Sequence, residues 1–145
     1  MRSGKNIRLF LSTLPVPKSN RYIRRKNGQV FRPSRVLLWE AKAVWELKKQ
    51  YEGPPLSFPL SVEVFFFLPD NRKRDIDNML KTLWDVLEKA QIIENDNLIH
   101  ETKTVKVRDE TVSGTVILIK PFQGKKRVLV KLKEELRIFK EIFEG

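Results

Sequence analysis

The stretch from Leu60 to Ala90 limits the fold more than any other part of this 145-residue chain. In residues 60–68 (Leu-Ser-Val-Glu-Val-Phe-Phe-Phe-Leu), Val62, Val64, Phe66 and Leu68 share one face, as a strand requires. Phe65 and Phe67 predict cover on the other face too. Pro69 cannot donate to a ladder and ends the strand. After a charged turn, Ile76, Met79, Leu80, Leu83, Trp84 and Leu87 recur at i, i+3, i+4, i+7, which predicts a helix from about Asp75 to Ala90.

The rest of the chain is read around that unit. Residues 7–14 predict a strand with Ile7, Leu9 and Leu11 on one face, ended by Pro15-Val-Pro17. Residues 15–32 form a long basic loop with a tight turn at Asn27-Gly28. Pro33-Ser34 opens a helix to about Tyr51 with Val36, Leu37, Ala41, Val44, Trp45 and Leu47 on its apolar side, and Gly53-Pro54-Pro55 stops it. Beyond a loop at 91–98, residues 101–108 alternate and turn through Asp109-Glu110 into 112–120, the pattern of a β-hairpin. The order β-α-β-α-β-β predicts an α+β fold, a small mixed β-sheet with helices packed on it plus a C-terminal helix.

Two regions follow from this division: a domain over 1–121, and a helical extension over 122–145 that is part of the same domain or a dimer contact. In the extension Leu129, Leu132, Leu136, Phe139 and Phe143 alternate steps of three and four. Because two heptads are few for a coiled coil, a helix docked on its own domain is preferred to a self-association helix.

Composition narrows the function. There is no cysteine, which excludes disulfide scaffolds, Cys-ligated zinc, iron–sulfur clusters and thiol nucleophiles. A single histidine, His100, excludes His-rich metal sites and makes a Ser-His-Asp triad a poor fit. No apolar run approaches the roughly 18 residues of a membrane span, and Arg8 interrupts the apolar stretch near the start, so neither a membrane segment nor a secretory signal is expected. The expected compartment is the cytoplasm. Lysine and arginine number 29 against 18 acids, a formal charge of +11. Ten of these cations and no acid lie between Met1 and Trp39. A one-sign block of that length self-repels without a counter-charge, which favours a polyanion partner.

Against this background residues 70–96 hold seven acids: Asp70, Asp75, Asp77, Asp85, Glu88, Glu94 and Asp96. Residues i and i+2 do not share a helix face. Asp75 and Asp77 therefore converge only if Asp75 lies at or just before the helix start, as the strand–turn–helix reading has it. Lys81 follows Asp77 by one turn. Each residue alone has a plain structural explanation: a helix cap at Asp75, an i, i+4 ion pair at Asp77–Lys81, a solvated turn at Arg72-Lys73-Arg74. Three cations followed at once by two carboxylates at a helix start, however, attract phosphate and metal together. Glu94-Asn95-Asp96-Asn97 reads as an Asx-rich turn. A strand running from it back beside 60–68 would carry Asp96 toward Asp75.

Over residues 7–121 the sequence resembles the RusA-type Holliday junction resolvases. The likeness lies in Pro15-Val-Pro17-Lys-Ser19-Asn20-Arg21-Tyr22, in the basic run leading to Asp75-x-Asp77-Asn78-x-x-Lys81, and in the Asn95-Asp96 turn, where some members carry two acids. The resemblance implies a homodimeric, Mg²⁺-dependent endonuclease, with Mn²⁺ as a substitute, that cuts paired strands of four-way DNA junctions. It assigns metal binding to Asp75, Asp77 and Asp96 and an assisting role to Lys81. The tail from about Phe122 lies outside it. Arg72, Lys73 and Arg74 are expected to grip the phosphate backbone near the cut, with Arg21, Arg24, Arg25 and Lys26 extending the grip. The alternatives are a non-catalytic nucleic-acid-binding protein and a metal-dependent hydrolase acting on RNA.

Overall fold

In the computed structural model, which describes residues 6–17 and 22–144, nine elements follow one another. They are β1 (Ile7–Leu11), β2 (Ile23–Arg24), β3 (Val30–Phe31), α1 (Ser34–Gln50), β4 (Leu60–Leu68), α2 (Ile76–Lys89), β5 (Ile99–Arg108), β6 (Gly114–Pro121) and α3 (Lys126–Glu144). A single 3-10 turn, Asp96–Leu98, precedes β5. The fold is α+β, as expected. Four strands make one mixed sheet in the order β1-β6-β4-β5, and β2 and β3 pair separately as a small hairpin.

The sheet corrects one expectation. β5 and β6 do not form a hairpin, because β4 lies between them, parallel to β5 and antiparallel to β6. The physical reason is the apolar content of β4, whose core-facing Leu60, Val62, Val64 and Phe66 are fully buried and which gains most by pairing on both edges. The link at 109–113 crosses the end of β4, pinned where the Asp109 N–H donates to the Leu68 carbonyl at 2.9 Å. Gly114 opens β6 at φ 143°, where a Cβ would stand 2.7 Å from the Leu11 carbonyl oxygen, so glycine is required there.

The core lies on one face of the sheet. Leu9, Leu11, Val62, Val64, Phe66, Ile117 and Ile119 meet Ala43 and Leu47 of α1 and Met79, Leu83, Val86 and Leu87 of α2. The stripe read in α2 is observed. That of α1 is rotated: Val36, Glu40, Ala43 and Leu47 are buried, whereas Leu37 and Trp45 are exposed. Glu40 turns inward because it pairs with Arg32 and with Lys89 (2.8 Å), joining the segment after β3 to both helices. No described helix covers the opposite sheet face, where Phe65 and Phe67 are half-buried and Phe10 is exposed. The expected second cover is therefore absent among the described residues. β1 is an edge strand, and Gln50 of α1 occupies its free edge, accepting from the Phe10 N–H (2.8 Å) and donating to the Phe10 carbonyl (2.6 Å).

The C-terminal extension departs furthest from expectation. Instead of docking on the domain, α3 buries none of its residues. No described helix is long and apolar enough to cross a membrane.

Candidate active site

Strand β4 delivers the chain to its C-terminal end, and the turn 69–75 sets the start of α2. Asp70 organises that turn. It accepts from the Arg74 guanidinium at 2.7 and 3.4 Å, from the Arg72 N–H at 3.0 Å and from Arg72 Nε at 3.3 Å. The Arg74 side chain, with the Arg72 N–H adding, holds the Asp70 carboxyl well below the ordinary carboxylate range. Two residues of β5 complete the clamp. Lys106 Nζ donates to the Arg74 carbonyl at 3.0 Å, and Arg108 Nε donates to Asn71 Oδ1 at 3.0 Å. They reach the turn because parallel pairing sets Arg108 beside Leu68.

The clamped turn delivers Asp75 in extended conformation (φ −81°, ψ 130°) immediately before α2, as the i, i+2 spacing demands. Its side chain does not cap the helix, and its one hydrogen bond among the described residues is from Asn78 Nδ2 at 3.4 Å. Asp77 lies in the first helical turn and Lys81 one turn on, both exposed. Neither forms an ion pair among the described residues. The plain cap and the routine i, i+4 pair are thus both unmade, which leaves two carboxylates and an ammonium facing solvent at a helix N-terminus.

Asp96 is elsewhere. Because β5 is parallel to β4, the chain re-enters the sheet beside Leu60, at the end opposite Asp75. Helix α2, with 14 residues, separates the two ends by about 21 Å at 1.5 Å per residue. The return strand runs in the wrong sense to carry Asp96 toward Asp75. Among the described residues no three carboxylates, histidines or cysteines gather into a metal-holding group. Asp96 starts the 3-10 turn, its N–H donating to Glu88 Oε2 at 2.7 Å, and Asn95 Oδ1 accepts from the Asn97 N–H at 2.8 Å, the Asx turn that the sequence suggests.

The expected phosphate-gripping residues divide. Arg72 and Lys73 are exposed, but the Arg74 side chain is only 12% exposed and is held by Asp70, so it builds the turn instead of meeting a ligand. Arg24, Arg25 and Lys26 lie exposed on the β2–β3 hairpin, whose turn uses Gly28 at φ 89°, and the Arg25 guanidinium covers the Phe31 ring at 4.4 Å. Arg21 lies outside the described residues. Sequence reading missed Asp70, Lys106 and Arg108. The i, i+4 spacing of Asp70 and Arg74 is a signal in retrospect, whereas Lys106 and Arg108 depend on the strand order and had none.

A basic α+β domain with free carboxylates beside a cationic turn belongs to the class of proteins that act on nucleic acid. The comparisons make that class specific. The model of the family described as Endodeoxyribonuclease RusA matches residues 13–120. A crossover junction endodeoxyribonuclease RusA of Aquifex aeolicus (strain VF5) is 57% identical over 120 residues, covering 83% of this chain and 95% of that one. One of the same name from Escherichia coli (strain K12) is 29% identical over 96 residues, covering 66% and 80%. The chain belongs to the RusA family of endodeoxyribonucleases, and this decides against both the non-catalytic binding protein and the RNA hydrolase.

Proposed function

We propose that this endodeoxyribonuclease resolves four-way DNA junctions in the cytoplasm as a homodimer, using Mg²⁺, or Mn²⁺ in its place, held by Asp75, Asp77 and Asp96. The observation that carries the reading is the clamped turn, which presents Asp75 and Asp77 near Lys81 with no ion pair to either among the described residues. Two adjacent carboxylates suit a hard cation that keeps several of its waters. Among the described residues one chain supplies only that pair, since α2 keeps its own Asp96 a helix length away. The third carboxylate therefore comes from a second chain. A two-fold axis that sets the Asp75 end of one copy against the Asp96 end of the other makes two equivalent composite sites, matching a substrate cut on two strands.

Asp75, Asp77 and the second copy's Asp96 would hold the Mg²⁺, which would supply positive charge against the scissile phosphate and make water more acidic there. Lys81 stands one turn along the helix to stabilise charge that develops on the phosphate. Arg72 and Lys73 hold the backbone near the cut, and Arg21, Arg24, Arg25 and Lys26 extend the contact along a junction arm. Arg74, with Asp70, keeps the turn rigid.

The test is Mg²⁺-dependent cleavage of a labelled four-way junction by wild type, Asp77→Asn, Asp96→Asn and an equal, refolded mixture of the two variants. Each variant alone is expected to be inactive. In the mixture, heterodimers regain one intact site, so about a quarter of wild-type sites return. An inactive mixture would refute the shared site, and an active Asp77→Asn would refute the metal assignment.

A further inference from the structure

Helix α3 is 19 residues long and exposes nine large apolar side chains: Val128, Leu129, Val130, Leu132, Leu136, Ile138, Phe139, Ile142 and Phe143. A lone helix of this length is marginal in water, and its internal support is slight. Arg137 pairs with Glu134 and with Glu141 (2.7 Å), which adds only tenths of a kcal/mol. An apolar surface of this extent on a helix that buries none of its residues calls for a partner.

The pattern specifies which one. Leu129, Leu136 and Phe143 fall on the a positions of a heptad, and Leu132 and Phe139 on d. Lys126, Lys133 and Lys140 then occupy e, and Glu135 occupies g. These four are the charges that flank the stripe, and none forms an ion pair among the described residues. In a parallel pair of identical helices a g residue meets the e residue five positions on in the other helix, which sets Glu135 against the partner's Lys140 on both sides. An antiparallel pair sets e against e and g against g, lysine against lysine and Glu135 against its own copy, repulsive at every flanking charge.

We infer that α3 is a dimerisation helix, pairing in parallel with α3 of a second copy of this chain through Leu129, Leu132, Leu136, Phe139 and Phe143. The inference rests on the dimer proposed above but not on its metal site. A zipper of little more than two heptads is weak alone and gains strength when the nuclease domains already hold the two copies together. Residue 120 ends the family match, so α3 adds to the nuclease fold a contact that lies outside the matched residues.

The chain has no cysteine, so single cysteines report the pairing cleanly. Leu129→Cys and Phe143→Cys, made separately in the full chain and oxidised mildly, are each expected to give a cross-linked dimer on a non-reducing gel. An antiparallel pair packs a positions against d positions, setting Leu129 against the partner's Phe139, and links neither variant to itself. Adding Leu136→Asp should reduce the cross-link at least tenfold. Glu135→Lys and Lys140→Glu should each weaken it severalfold, and together they should restore it to within twofold of the parent, a rescue that loss of helix structure does not give. Light scattering on the wild type separates the two readings. A dimeric wild type without cross-links overturns the zipper and leaves the nuclease dimer standing; a monomeric wild type overturns both.

Discussion

Helices α2 and α3 carry equally legible apolar stripes and have opposite fates. α2 lays Met79, Leu83, Val86 and Leu87 on the sheet and buries them, whereas every residue of α3 stays in solvent. Periodicity tells which side of a helix is apolar but not what that side meets. The linking segments decide it. The turn before α2 is clamped by Asp70, Arg74, Lys106 and Arg108, so the helix has one direction open to it, back over its own strand. α3 leaves the opposite end of the sheet after β6, where the core face is already filled by α1 and α2.

Four measurements sharpen or break this contrast. The largest effect is expected at the start of α2, where Asp77→Asn should lower junction cleavage by on the order of 10²- to 10³-fold with the circular dichroism spectrum unchanged. Next, at concentrations low enough to keep the chain monomeric, Leu83→Ala should cost about 3 kcal/mol in urea unfolding of the nuclease domain and Leu136→Ala less than about 0.5 kcal/mol. Equal costs would mean that α3 packs on the domain after all. In gel shifts, junction affinity should fall with salt at a log–log slope of about −5 if some six phosphates are neutralised, and Arg24→Ala with Arg25→Ala should flatten it by about 2. An unchanged slope would remove the hairpin from the DNA contact.

The smallest effect tests the clamp. Arg74 and the Arg72 N–H hold the Asp70 carboxyl below its ordinary 3.8, so the charged form favours the folded state. That stability is complete above about pH 4 and is lost as pH falls through the lower folded-state value. Melting temperature should therefore drop more steeply below pH 4 in wild type than in Asp70→Asn. Parallel curves would show that the ion pair does not hold the turn.

Much of this was legible along the chain. The stripe of α2, the extended residue at Asp75, the Asn27-Gly28 turn and the Asx turn at Asn95 are local patterns, and each appears in the fold. The face of α1 was misjudged because Glu40, a charged residue, is buried by partners at Arg32 and Lys89 that no spacing reveals. Arg74 was misassigned for a related reason, since a cation in a basic run looks free until its carboxylate is seen.

By itself the sequence determined what short-range sterics and hydrophobic period can determine: most of the elements and their edges, the extended backbone of Asp75 just before the helix that carries Asp77, and the basic character of the chain. Only the tertiary structure decided that β4 divides β5 from β6, that Asp96 stands a helix length from the other two aspartates, and that α3 goes uncovered. Those outcomes turn on which strand edges and faces remain free once the core has closed, a competition among distant segments that no local pattern encodes.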